Sequence, residues 1–195
     1  MSDPSQLTKQ IEQLSAASRA QLAKYIEFLQ WQETQGQIPQ AQGWSFSFIE
    51  AFKDASIYAS DDPAGLDVNM APASVGGNNL PALWAHPPVV GKTVIEYHVP
   101  VPQQVTMVRL RLAVGIRDGA EIAANNLVAF VVKVNGARVW GRQSNEQNWQ
   151  NFEIPLDLPT GDIVRFEFTT EALGSHEWTW AVWGNPELVG KFSNQ

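Results

Sequence analysis

The sequence predicts a mainly β protein, an antiparallel β-sandwich preceded by an α-helical segment. Three observations carry this. Beyond Gly43 the apolar residues alternate with a period of two; Gly, Asn, Asp and Pro interrupt that alternation at short intervals; and residues 5–35 repeat instead at spacings of three and four. Crossover helices, which parallel strands need, are lacking between the alternating segments, so the strands pair antiparallel.

In the first segment Leu7, Ile11 and Leu14 form one apolar run and Leu22, Tyr25, Ile26 and Leu29 a second, with Gln, Lys, Glu and Arg between them. Ser15 suits an N-cap, because its hydroxyl can accept an unpaired N–H of a first helical turn. The spacing predicts a short helix near 5–13 and a longer one near 16–34. Gly36, Pro39 and Gly43 mark linker composition, giving a helical segment over 1–36, a linker over 37–43 and a sandwich domain over 44–195. The apolar stripe must be covered, either by the following domain or by a second copy, and self-association into a homo-oligomer through residues 5–35 is expected.

Phe46 to Phe52 suits either a strand or a helical turn, and residues 60–82 are loop by composition. Thr93 to Val99 is strand-like. Val108, Leu110, Leu112, Val114 and Ile116 alternate with Arg109, Arg111 and Ala113, so one face is buried and the other wet. Val128, Phe130, Val132 and Val134 repeat this and run into Asn135-Gly136, a hairpin turn whose central residues both take positive φ. Arg138 to Trp140 is the return strand. Phe152, Ile154 and Leu156, then Val164, Phe166 and Phe168 beyond the Gly161-Asp162 turn, give two more. The closing strand is predicted over 178–183, with Trp178 and Trp180 on one face and Trp183 on the other, and continues over 187–189.

Composition excludes several functions. A chain of 195 residues with 44% hydrophobic residues can bury a core unaided. It has no cysteine, which removes disulfides, thiolate catalysis and iron–sulfur ligation. A net charge of −7 argues against nucleic acid, where Lys and Arg must neutralise phosphates. No apolar run is long enough to span a bilayer, and Met1-Ser2-Asp3-Pro4 leads into a polar stretch rather than a signal sequence; a cytoplasmic protein without membrane contact is expected.

Catalytic templates for nucleophile elbows, phosphate loops, dinucleotide sites and zinc hydrolases are missing. His98 reads as a strand histidine and His86, before Pro87-Pro88, as part of a rigid packed loop. Asp118 and Glu121 share a loop and are the pair a glycosidase would use, but a solvated strand connection is the favoured reading of them. Asp61, Asp62 and Asp67 could supply oxygen ligands to a structural calcium; no other cofactor is indicated.

Eight tryptophans are the strongest chemical signal, because an exposed indole stacks on the apolar face of a sugar ring while polar side chains bond its hydroxyls. Trp149, set among Asn145, Glu146, Gln147, Asn148 and Gln150, is the leading candidate, with Trp140, Arg142, Asn148 and Asp118 as neighbours. The same tryptophans could simply fill a core.

The segments Leu83-Trp84-Ala85-His86-Pro87-Pro88, Thr93-Val94-Ile95-Glu96-Tyr97, Val114-Gly115-Ile116-Arg117-Asp118-Gly119, Phe130 to Gly136 and Trp178 to Gly184 together resemble galactose-binding-like jelly rolls. Within these they are most similar to the NPCBM-type carbohydrate-binding modules attached to glycosidases. The resemblance covers about residues 80–190 and implies a jelly-roll fold and a non-catalytic, sugar-binding role. Leu14, Arg19, Leu22, Tyr25, Ile26, Glu27, Phe28 and Leu29 resemble the helical segment of small antitoxin-like bacterial proteins of the DUF2281 type, which implies self-association. The expectation is therefore a carbohydrate-binding module. The alternatives are a cytosolic protein-interaction protein assembled through its N-terminal helices and, third, a glycosidase.

Overall fold

Strands β6 (Val105–Ile116) and β11 (Ala181–Phe192) pair antiparallel along most of their length and form the spine of one sheet. The computed structural model describes residues 11–16, 18–19, 22–23, 25–26 and 43–193. The chain divides into two units, Met1–Ala41 and Gln42–Gln195. In the first, described residues on both sides of Ser15 are helical, and the Ser15 hydroxyl accepts the Ser18 N–H at 3.1 Å, the bond an N-cap makes. The remaining course of the two expected helices, and self-association through 5–35, lie largely outside the described residues.

The second unit is a sandwich of two antiparallel sheets. One carries β3 (Asn69–Val75), β4 (Asn78–Trp84), β11, β6 and β9 (Gln150–Pro155) in that order, with β1 (Trp44–Ser47) also paired to β11. The other runs β2 (Ser56–Ala59), β5 (Lys92–Val101), β10 (Asp162–Ala172), β7 (Val128–Val134) and β8 (Ala137–Ser144). The alternation predicts these faces well. Val108, Leu110, Leu112, Val114 and Ile116 are buried, as are Val128, Phe130, Val132 and Val134, while Arg109 and Arg111 are exposed. Asn135 and Gly136 turn the β7–β8 hairpin with φ of 49° and 84°.

Aromatic rings fill the space between the sheets. Trp183 is fully buried, with Phe130 and Phe168 each at 5.2 Å in edge-to-face contact. Phe48, just beyond β1, packs on Phe168 at 4.7 Å and Tyr97 at 5.0 Å. The ambiguous stretch 46–52 is divided between both readings: a strand to Ser47, a turn, and then a 3₁₀ turn at Phe52–Asp54.

The segment 60–82 departs from its expected loop character, because β3 and most of β4 lie within it. Gly76 and Gly77, with φ of 60° and 76°, make the turn of this hairpin. Its prolines obscured it. Pro72 and Pro81 face each other across the pair, and both are tolerated: β3 is an edge strand, and β4 pairs with β11 only through Ala82–Trp84.

The hairpin also folds over the outer face of its own sheet. A Cβ on Gly184 would lie 2.8 Å from the Trp149 ring and 3.0 Å from Leu80, and one on Gly115 would lie 2.8 Å from Val75. Bare backbone on β6 and β11 therefore admits the hairpin, and a second small core forms there from Ala73, Val75, Ala82 and Val182 under Trp84 and Trp149.

Candidate functional site

At one end of the sandwich β4 and β6 finish and β11 begins, with Trp84 opposite Val182 and Ile116 opposite Ala181. The residues just outside these pairs are thereby brought together. The Arg117 N–H bonds the Trp180 carbonyl at 3.0 Å and the Ala85 N–H bonds the Ala181 carbonyl at 3.1 Å, which fixes three loops to one another.

Arg117 is the centre of the cluster. Its guanidinium carbon lies 3.3 Å from the Trp84 ring centre and 5.2 Å from that of Trp180, and its counter-charge is Asp67 at 4.0 Å. Burial lowers the Arg117 pKa and the Asp67 charge opposes that fall; the guanidinium keeps its charge. The His86 ring lies nearly parallel to Trp84 and Trp180, with centres 6.2 and 6.4 Å away. Its loop is anchored by the Thr93 hydroxyl, which donates to the His86 carbonyl at 2.6 Å, so the expected rigid loop is found. Burial first, and then the Arg117 charge, lower the His86 pKa to about 4, so the ring is neutral at pH 7. His86 Nε2 and Trp84 Nε1 are buried without a hydrogen-bond partner among the described residues.

The expected strand over 178–183 begins only at Ala181. Before it the chain is tightly coiled: the Trp180 N–H bonds the Trp178 carbonyl at 2.9 Å and the Ala181 N–H bonds the Thr179 carbonyl at 2.7 Å. Thr179 is buried and its hydroxyl donates to the His176 carbonyl. This holds Trp178 at φ 61°, an uncommon conformation for a bulky side chain, and leaves its indole 41% exposed. The ring is tilted 48° against Trp180 at 5.3 Å. Period-two reasoning missed this surface by starting the strand three residues too early, at 178 rather than Ala181. The polar run Gly174-Ser175-His176-Glu177 was the signal that the chain there is still a loop.

Three of the five sequence-predicted residues gather around the β3–β4 turn. Asp118 accepts the Ser74 hydroxyl at 2.6 Å and the N–H groups of Gly76 and Gly77 at 2.8 and 2.9 Å, so its carboxylate fastens that turn to the Arg117 loop. The Ser74 bond, then that of Gly77, hold its pKa below the ordinary carboxylate value. A glycosidic general acid needs the opposite shift. Asn148 is exposed beside Gly76. Trp149 is half-buried: its Nε1 donates to the Asn78 carbonyl at 2.9 Å and its ring covers the small second core. Its amphipathic surroundings suggested an open indole, but the hairpin that the sequence hid takes both its face and its N–H.

Trp140 and Arg142 belong to the other sheet. Trp140 turns inward from β8 onto Phe152 at 4.8 Å and Trp183 at 6.1 Å, closing one side of the sandwich. Arg142 is exposed on β8 opposite Phe130. Among the described residues no three His, Asp or Glu side chains gather as a metal site. The three carboxylates expected to hold calcium do not gather into such a site: Asp62 accepts the Ala64 N–H at 3.2 Å, and Asp67 accepts the Asn69 side-chain amide and faces Arg117.

No protein-family profile matches the chain, and no curated protein matches it. Its fold is similar to solved structures of carbohydrate-binding modules. The tandem CBM51 modules of the family 98 glycoside hydrolase of Streptococcus pneumoniae superpose with a TM-score of 0.57 at 14% identity, over 79% of this chain and 49% of that chain. This chain thus spans about half the length of that relative. A CBM51 module from Clostridium perfringens, solved with methyl-galactose, gives a TM-score of 0.47 at 16% identity over 74% of this chain and 99% of that one. A family 35 module from Clostridium thermocellum gives 0.43 at 14%, over 76% and 98%. The first likeness is one of fold: the two-sheet antiparallel β-sandwich of this chain superposes on that structure.

Proposed function

We propose that the protein is a non-catalytic carbohydrate-binding module and that its site is the loop cluster of Trp178, Trp180, Arg117 and Asp67. The observation that carries this reading is the exposed Trp178 indole, held at φ 61° against Trp180. A bulky side chain in that conformation costs on the order of 1 kcal/mol, an expense that strained backbone at ligand sites commonly bears.

The apolar C–H face of a pyranose stacks on the Trp178 ring, and the Arg117 fork and Asp67 carboxylate offer donors and an acceptor to its hydroxyls. Their charges offset one another and His86 is neutral, so the site suits an uncharged hexose. Asp118 and Asn148 act from behind, through the turn they contact, as positioning residues. The sandwich similarity supports this reading at the level of fold.

The test is a glycan array of the full chain, followed by tryptophan-fluorescence titration of each hit. A neutral saccharide should quench emission, and Trp178→Ala should bind at least tenfold more weakly while keeping its circular dichroism. An array with no hit, or a Trp178→Ala protein that binds like the parent, would overturn it.

A further inference from the structure

The outer face of the β6–β11 sheet carries an open groove of about 420 Å³, within the roughly 300–1,000 Å³ of small-molecule sites. Strand register builds it row by row. Ala113 on β6 pairs with Asn151 on β9 and with Gly184 on β11, so the three share one face. Arg111, two residues along β6 on the same face, pairs with Glu153 and Glu187. The first row is a low floor, since Gly184 has no side chain and Ala113 only a methyl group. Leu80 of the β3–β4 hairpin stands against Gly184 and walls one side. The row of Arg111 and its two carboxylates walls the other.

Two features fit this trough to a neutral polyol. The first is a β-bulge at its floor: between Gly184 and Glu187 β11 has one residue more than β6 has between Ala113 and Arg111. Buried Pro186 anchors the bulge, its carbonyl accepting the Phe48 N–H at 3.1 Å, and Asn185 beside it, at φ 40°, is exposed and lines the groove. Asn151 lines it from β9 and is exposed as well. Each amide both donates and accepts, as a sugar hydroxyl does. The second feature is charge. Arg109 and Arg111 both donate to Glu153, Arg111 at 2.8 Å, and Arg111 faces Glu187 at 3.8 Å. Two guanidinium groups and two carboxylates cancel, so the row selects no ion, yet it keeps N–H groups and carboxylate lone pairs at the rim.

We propose that this groove is a second saccharide subsite, taking a neutral oligosaccharide laid across β9, β6 and β11. The saccharide part rests on the carbohydrate reading above; the groove itself rests on the register, the bulge and the cancelled charges. A pyranose sets its C–H face on the Gly184–Ala113 floor and against Leu80, and its hydroxyls bond Asn151, Asn185 and the charged rim. The lining holds no indole to stack on, so this subsite binds more weakly than the apical cluster of Trp178 and needs more than one sugar unit.

The experiment is an amide NMR titration of the full chain and of Trp178→Ala with lactose, cellotriose and laminaritriose. At least one of these should shift the Gly184 backbone amide and the Asn151 and Asn185 side-chain amides, and should do so with unchanged affinity in Trp178→Ala. In that background Asn151→Ala and Asn185→Gly should each weaken binding about fivefold, the loss of one hydrogen bond. Asn185→Gly accommodates the positive φ, so its fold is kept. Groove signals that shift while Trp178 stays silent would support this subsite and sink the apical reading. The proposal is overturned if Trp178 responds and the groove does not, if no saccharide shifts the groove signals in Trp178→Ala, or if both asparagine variants bind like their parent.

Discussion

The Arg117 guanidinium lies 3.3 Å from the centre of the Trp84 ring, and Trp180 bounds it at 5.2 Å. A cation in that position does two things: it holds the ends of β4, β6 and β11 together, and it presents donors at the rim of the apical cluster. Both depend on a planar group. Arg117→Lys keeps the charge and loses the fork, so it should lower stability by about 1 kcal/mol and weaken neutral-sugar binding, read from urea midpoints and fluorescence titration. Unchanged binding would show that the guanidinium is structural only.

Trp178 separates function from stability. The positive φ is a property of the backbone, so Trp178→Ala loses the indole and keeps the strain, whereas Trp178→Gly loses both. The glycine variant should be about 1 kcal/mol more stable than the alanine variant, with sugar binding lost in both. Equal stabilities would mean that the loop relaxes once the ring is gone.

Trp149 should behave as a core residue. Trp149→Phe keeps a ring over the second core and gives up the Asn78 bond, at a cost of about 1 kcal/mol. Trp149→Ala uncovers that core and should cost about 2–3 kcal/mol, less than a fully buried tryptophan because the residue is only partly buried. The phenylalanine variant should bind sugar normally; a tenfold loss there would return Trp149 to the ligand surface.

The contrast between Trp149 and Trp178 explains what the sequence made legible. Strands whose faces differ in wetting, such as Val108 to Ile116, declare themselves through alternation, and so does the Asn135-Gly136 turn. The β3–β4 hairpin does not, because paired prolines at a sheet edge look like loop, and Gly76-Gly77 could be read either as its turn or as part of a loop. Once that hairpin was hidden, Trp149 had no visible cover, while Trp178 was drawn into a strand by the alternation of Trp178, Trp180 and Val182. The Arg117 stack joins positions 84, 117 and 180, and no local pattern registers such a juxtaposition.

His86 gives the fold a defined response to acid. Its pKa lies near 6.5 in an unfolded chain and about 4 in the folded one, where burial and the Arg117 charge disfavour the imidazolium. Between those values the unfolded chain holds the extra proton, so folding becomes less favourable as pH falls through that window and levels off below it. The loss over the whole window is at most about 3 kcal/mol, reduced where solvent reaches the ring. His86→Gln removes the titrating group, so the stability of the parent minus that of the variant should climb from pH 4 to pH 6.5 and be flat above. The Asp118 carboxylate, held below its ordinary pKa by Ser74 and the Gly76-Gly77 turn, adds a separate loss at lower pH that both proteins share. Urea unfolding at half-unit steps from pH 3.5 to 8 measures this difference, and a flat difference curve between pH 4 and 6.5 would place the His86 ring in water rather than in the stack.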